Sequence, residues 1–68
     1  RGKGLGAALL AALEYEAKRR KCRQTILEVS CNNHAAMRLY TRAGYQVIAN
    51  FPHYYEDGSD ALRMSKDL

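Results

Sequence analysis

The first third of the chain carries an apolar stripe at helical spacing. Leucines and alanines recur there every three or four positions, at Leu5, Leu9, Leu10, Ala12, Leu13 and Ala17. This spacing predicts an amphipathic helix from about Leu5 to about Lys21. Four cations at positions 18–21 occupy its last turn, where positive charge complements the helix dipole.

Residues 24–30 alternate in the manner of a β-strand. Thr25, Leu27 and Val29 share one face, and Glu28 lies on the other. A carboxylate among apolar neighbours is unfavourable unless it is solvated or paired. Glu28 is therefore either a glutamate at a sheet edge, where it reaches water, or a general base at a cleft.

A second helix follows this strand. Asn32 or Asn33 can accept a hydrogen bond from its first turn, which predicts a helix start near residue 34. Gly44 is suited to the left-handed conformation that ends a helix, so we expect the helical residues to be about 34–43. Its apolar face comprises Ala36, Met37, Leu39, Tyr40 and Ala43.

Two further strands are predicted, over about Tyr45 to Phe51 and about Ala61 to Lys66. The loop between them contains Asp57-Gly58, a pair typical of turns. The element order is then α-β-α-β-β. We expect the first two strands to run parallel through a right-handed crossover and the last two to form a hairpin. The fold class is α/β (α+β mixed sheet).

The chain has 68 residues and a net charge of +4, so it forms one domain at most. A domain this small buries only about 60% of the surface that its unfolded chain exposes. We therefore expect a piece of a larger domain, or a homo-oligomer that completes its core across an exposed sheet edge. Cys22 and Cys31 fit no disulfide framework, and no apolar run is as long as a membrane span. These features favour a reducing, cytoplasmic location and no membrane partner.

The segment R-G-K-G-L-G, residues 1–6, leads into the first helix. Its glycines allow a ligand to approach the backbone closely, and a helix N-terminus favours anions, above all phosphate. Residues 1–23 include seven basic and two acidic side chains, which suits nucleotide phosphates or nucleic acid. No aromatic residues are interleaved with the cations of 18–21 as stacking platforms, so nucleic acid is the less favoured partner.

Three motifs, in this order, resemble the GNAT acyltransferase superfamily. Residues 1–6 are similar to its R-x-x-G-x-G loop, which binds the pyrophosphate of acetyl-CoA. Residues 27–45 match L-E-V-x-x-x-N-x-x-A-x-x-L-Y-x-x-x-G-[FY], and residues 52–64 match P-x-Y-Y-x-D-G-x-D-A-x-x-M. The last two resemble the N-terminal protein acetyltransferases, closest to the ribosomal-protein alanine type. The resemblance implies the C-terminal half of a GNAT domain, with a pyrophosphate loop and helix over 1–22, a strand over 24–30, a helix over 33–43 and a hairpin over 45–67.

The resemblance also implies a reaction, the transfer of an acetyl group from acetyl-CoA to an amine, in particular the α-amino group of a protein or peptide. Glu28 matches the general base, and Tyr40 matches the proton donor to the departing thiolate. Tyr54 and Tyr55 match loop tyrosines that line the acceptor peptide. The positions matched to cofactor binding are Arg1, Gly2, Lys3, Gly4, Leu5, Gly6 and Ala7 for the pyrophosphate and Asn33 for the pantetheine arm.

Members of this family carry further strands and two helices before the pyrophosphate loop, so we expect these 68 residues alone to be inactive. Two alternatives remain open. One is a GNAT enzyme that acetylates a small-molecule amine; the other is a non-catalytic module that binds coenzyme A or nucleic acid. Cys31-x-x-His34 lacks a second pair of ligands, and we expect no metal.

Overall fold

The computed structural model describes residues 3–68, except for the side chains of Lys3 and Leu5. The elements are two helices, α1 (Lys3–Arg19) and α2 (His34–Arg42), and three strands, β1 (Gln24–Ser30), β2 (Gln46–Phe51) and β3 (Ala61–Asp67). The order α1-β1-α2-β2-β3 confirms the predicted order. Neither helix is long and apolar enough to cross a membrane.

The bounds of α1 differ from the prediction by two residues at each end. The helix already includes Gly4, because the first turn needs no intrahelical N–H bonds and the alanines that follow favour helix. It ends at Arg19, since Lys21 adopts a left-handed conformation with φ of 66°. For α2, Asn33 is the N-cap, and Gly44 has φ of 103°, which confirms it as the helix terminator.

The three strands form one sheet in the order β1-β3-β2. β3 pairs antiparallel with both neighbours, so β1 and β2 run parallel to each other with β3 between them. The predicted hairpin and the parallel direction are therefore confirmed, whereas the insertion of β3 was not predicted. Because β3 is central, Met64 has Leu27 on one side and Val47 on the other. In the next register position of the β1 ladder, Glu28 lies opposite Arg63.

The core lies between the helices and one face of the sheet. Its buried members are Leu10, Val29, Tyr45 and Met64. The alternation predicted for β1 is confirmed, because Val29 is buried whereas Ile26, on the opposite face, is exposed. The face that carries Glu28 is thus the one directed away from this core.

A polar network joins α1 to the sheet. The Tyr45 hydroxyl donates to Glu14 Oε2 at 2.8 Å and lies 2.6 Å from the Thr25 hydroxyl, which must then be the donor of that pair. Lys66 Nζ donates to Glu14 Oε1 at 2.8 Å. Burial is the largest influence on Glu14 and raises its pKa, but the bonds from Lys66 and Tyr45 and the charges of Lys66 and Lys18 together hold the pKa below its usual value.

We expect the free energy of unfolding to fall as the pH is lowered. The fall should be smaller in Glu14→Gln than in the unmodified chain. The pKa of Glu14 is lower in the folded state than the unfolded value of about 4.3. Its contribution to stability is therefore complete above that value and is lost as the pH falls through the folded pKa. Urea unfolding from about pH 7 to about pH 3 measures this dependence, and the curves for the chain and for Glu14→Gln should converge at low pH.

Glu16→Gln is the matched control, because Glu16 lies on the same helix and, within residues 3–68, pairs with Arg19 and Arg20 at the surface. Exposed pairs of this kind contribute little to stability. Its acid dependence should therefore stay close to that of the unmodified chain. Equal acid dependence in Glu14→Gln and the unmodified chain would contradict the role of the network.

Candidate active site

The N-terminus of α1 lies where the phosphate site is predicted. The first N–H groups of an α-helix have no partner within it, so the donors of Lys3, Gly4 and Leu5 are directed out of the end of α1. The positive end of the helix dipole lies at the same place. From Gly6 and Ala7 onward, each backbone N–H group can donate to the carbonyl oxygen four residues earlier. The first three donors are thus the ones available to an anion.

The described fold does not require glycine at position 4. Among the glycines of residues 3–68, only Gly44 and Gly58 have positive φ. A Cβ at Gly4 would meet no described atom within 4 Å, whereas a Cβ at Gly6 would lie 3.3 Å from Leu39 Cδ2. Gly6 thus allows α1 and α2 to approach, while Gly4 leaves open space beside the free N–H groups. The predicted partners Arg1 and Gly2 lie outside the described residues.

A cavity of about 580 Å³ runs between α1 and α2. Most of its wall is alanine and leucine, and Gly6 and Ala7 place one end of it close to the N-terminus of α1. Arg38 and Arg42 line it from α2 and are exposed. Neither arginine belongs to an ion pair within residues 3–68. The cavity therefore continues the predicted phosphate site along an apolar groove with a basic wall.

Asn33 begins α2 and is exposed. Its Oδ1 accepts from the backbone N–H of Ala36 at 3.1 Å. Since this bond occupies the acceptor, the N–H₂ group of the Asn33 side chain is what remains for a ligand carbonyl. The predicted contact with a pantetheine arm requires such a donor.

Glu28 forms an ion pair that was not predicted. Arg63 Nε and Nη2 both donate to Glu28 Oε2, at 3.1 and 2.6 Å. Both side chains are partly solvated, with exposed fractions of 34% for Glu28 and 40% for Arg63. The guanidinium carbon of Arg63 also lies 4.8 Å from the centroid of the Phe51 ring. Glu28 is thus a paired carboxylate on an edge strand of the described sheet.

The sequence contained a signal for this pair. Arg63 is a charged residue between the apolar Leu62 and Met64 of β3, just as Glu28 is charged between Leu27 and Val29 of β1. Two opposite charges on predicted strands are candidates for a cross-strand pair. Only the register of the strands shows that the two residues face each other.

Tyr40 projects from α2 toward the core and is partly buried. Its ring centroid lies 5.9 Å from that of Tyr45, and in the described part of the chain its hydroxyl joins none of the tyrosine hydrogen bonds. Tyr40 and Glu28 lie on opposite sides of the sheet. We take the part of β1 around Glu28 as the candidate reaction centre, because it carries the residue matched to the general base.

Tyr54 and Tyr55 lie in the loop between β2 and β3. Their rings meet edge to face with centroids 5.1 Å apart, and Tyr54 lies 6.1 Å from Phe51. The backbone N–H groups of both tyrosines bond to the carbonyl oxygen of Ser59, at 3.1 and 3.2 Å. Hydrogen bonds from the Ser59 side chain and backbone lower the pKa of Asp57 in the same loop. The loop tyrosines are thus held in an ordered turn.

The described site thus comprises the N-terminus of α1, the adjoining cavity between the two helices and the paired carboxylate of Glu28 on β1. Residues 1–45 match the model of the acetyltransferase (GNAT) family. The chain belongs to this family, which confirms the resemblance found in the sequence.

Several known proteins similar to this chain are named as acetyltransferases. The uncharacterized N-acetyltransferase MJ1530 of Methanocaldococcus jannaschii is 46% identical over 67 residues, which cover 97% of this chain and 43% of the relative. The structure of the ribosomal-protein-S18-alanine N-acetyltransferase from Escherichia coli has a TM-score of 0.88 and 36% identity, covering 98% of this chain and 45% of the other. The NatC complex bound to Gag peptide and CoA has a TM-score of 0.94 at 28% identity, covering 100% and 43%. The chain thus spans less than half the length of these proteins.

Proposed function

We propose that this chain is the coenzyme-binding and catalytic part of an acetyl-CoA-dependent N-acetyltransferase that acts on the α-amino group of a protein or peptide. The observation that carries the proposal is the N-terminus of α1, where N–H groups without an intrahelical partner lie beside Gly4, a glycine that the described residues do not require. The adjoining cavity offers apolar walls and two arginines. Support also comes from the relatives, one bound to CoA and a peptide and another named for an alanine of a ribosomal protein.

The bound acetyl-CoA would supply the acyl group and a thiol leaving group. Lys3, Gly4 and Leu5 would donate backbone N–H groups to its pyrophosphate, and Asn33 would donate its side-chain amide to the pantetheine arm. The helix end and the two cavity arginines favour a nucleotide-like anion, and the Glu14 carboxylate, which also lines the cavity, is paired with Lys66.

Proton transfer in this proposal falls to two side chains. The amine must lose a proton as its nitrogen bonds to the acetyl carbon, and Glu28 would accept that proton directly or through a water. The thiolate must gain a proton as the carbon–sulfur bond breaks, and the Tyr40 hydroxyl would donate it. Both side chains would act on one substrate bound at β1, the strand that carries Glu28.

Acetyl-CoA binding tests the proposal directly. Since the chain spans less than half the length of its relatives, the test protein is a chimera in which this chain replaces the matching segment of the M. jannaschii relative. We expect Gly4→Ala to weaken binding about tenfold, because the added methyl group occupies the open space beside the N–H groups and keeps the pyrophosphate from bonding closely to one of them. The Tm should not fall, because alanine favours helix over glycine. Isothermal titration calorimetry and thermal unfolding measure the two quantities.

Ala12→Gly is the matched control, because Ala12 is exposed in the middle of α1. It should lower stability by about 0.5–1 kcal/mol and leave acetyl-CoA binding unchanged. Absence of acetyl-CoA binding in the unmodified chimera would refute the proposal. Peptides with free and blocked α-amino groups, compared with a polyamine, separate the peptide acceptor from a small amine.

A further inference from the structure

The ion pair between Arg63 and Glu28 is asymmetric. Both guanidinium donors, Nε and Nη2, bond to the same carboxylate oxygen, Oε2. In the part of the chain that the structure describes, Oε1 has no hydrogen-bond partner. A carboxylate held by one oxygen cannot rotate freely, so the free oxygen has a defined direction.

Arg63 is itself held in place. Its backbone lies in the central strand and pairs with β1 on one side and β2 on the other. Its guanidinium stacks over the ring of Phe51 at 4.8 Å, which favours a cation held against the aromatic face. Because Arg63 is held in this way, its two hydrogen bonds fix the position of the Glu28 carboxylate.

Stability does not account for this arrangement. Partly exposed ion pairs contribute about 0–1 kcal/mol, and both side chains retain more than a third of their exposure. The arrangement is better explained by what it does to Glu28.

The same contacts continue to the loop between β2 and β3. Phe51 lies 6.1 Å from Tyr54, and Tyr54 lies 5.1 Å from Tyr55, by ring centroids. A continuous row of side chains therefore links the loop tyrosines to Glu28 through Phe51 and Arg63. An acceptor peptide that lies against this loop would act on the far end of that row.

We propose that Arg63 is a positioning residue that orients the Glu28 carboxylate, so that Oε1 is presented to the acceptor amine. Phe51 supports Arg63 and connects it to the loop that carries Tyr54 and Tyr55. The role rests on the proposed function, since it assigns to Arg63 the placement of the proposed base. Arg63 itself touches neither the acyl group nor the amine.

Steady-state kinetics of Arg63→Ala in the chimera test this role. A misplaced catalytic group can cost about 100-fold in rate, and we expect kcat to fall about 10- to 100-fold. The KM for acetyl-CoA should change little, because Arg63 lies on the face of the sheet opposite the cavity between the helices. Millimolar ethylguanidinium should restore part of the lost kcat, because it can occupy the vacated space and bond to Oε2. The Tm should remain close to that of the unmodified chimera.

Two controls accompany this experiment. Arg20→Ala removes another arginine from a surface ion pair, that with Glu16, and should leave kcat unchanged with or without ethylguanidinium. Glu28→Gln combined with Arg63→Ala should show no rescue, because the space for ethylguanidinium is open but the proposed base is absent. Arg63→Lys keeps one donor and should retain more activity than Arg63→Ala.

An unchanged kcat in Arg63→Ala would overturn the role of Arg63 while acetyl transfer by the unmodified chimera upheld the proposed function. If kcat fell, the Tm fell as well and ethylguanidinium restored no activity, the role of Arg63 would also be overturned, since a structural residue behaves in this way. Lack of acetyl transfer in the unmodified chimera would overturn the proposed function and this role together.

Discussion

Tyr40→Phe should lower the turnover number of the chimera by about 10²- to 10⁴-fold, the range typical of a lost general acid. The affinity for acetyl-CoA should change little. The substitution removes one oxygen atom and keeps the ring, so the packing of Tyr40 against Tyr45 is preserved. Single-turnover kinetics with a peptide acceptor measure the rate, and calorimetry measures the affinity.

The reason for so large an effect lies in the surroundings of the hydroxyl. The Tyr45 hydroxyl donates to Glu14 and so serves the fold. The Tyr40 hydroxyl joins no such bond among the described residues, so its proton remains available for donation to a substrate. Without it, the thiolate must take its proton from water or leave unprotonated, and either route raises the barrier to breaking the carbon–sulfur bond.

Tyr15→Phe is the matched control for Tyr40→Phe. Tyr15 lies on α1 with 69% of its surface exposed, away from the core. The same loss of one hydroxyl there should change neither rate nor affinity. A Tyr40→Phe enzyme with the turnover number of the Tyr15→Phe control would remove Tyr40 from the chemistry.

The sequence predicts the local structure of this chain well because local signals govern it. The periodicity around Leu9 and Leu13 predicts α1, and Asn33 and Gly44 predict the two ends of α2. The helix begins two residues before the predicted start, because the apolar spacing that predicts it begins only at Leu5. In a first turn, the low helix propensity of glycine matters less than the alanines that follow.

The long-range pairing could not be predicted from the pattern. The position of β3 between β1 and β2 depends on contacts between segments about 35 residues apart, and alternation alone does not order strands. The partners of Glu28 and Tyr45 follow from that order. The resemblance to a known family supplied the candidate roles of Glu28 and Tyr40, whereas Arg63 and Phe51 emerged only from the register of β3 and their contacts.

The same central strand explains why one core residue should matter more than any other. Met64→Ala should lower the free energy of unfolding by about 2–5 kcal/mol, the range for truncating a buried side chain to alanine. Met64 is 1% exposed, lies between Leu27 and Val47 in the sheet, and packs in the cluster that includes Leu10. The neighbouring strands fix the backbone on both sides, so the cavity cannot collapse. Urea unfolding followed by circular dichroism measures the loss.

A loss of this size is severe, because folded domains are stable by only about 5–15 kcal/mol in total. Val47→Ala is the matched control, because Val47 is a register partner of Met64 but is 51% exposed, and it should cost within about 0.5 kcal/mol. Met64→Leu keeps the volume and should cost less than about 1.5 kcal/mol. If Met64→Ala were no more destabilising than Val47→Ala, the cluster between the helices and the sheet would not be what holds this fold together, and the end of α1 would have no fixed position relative to β1.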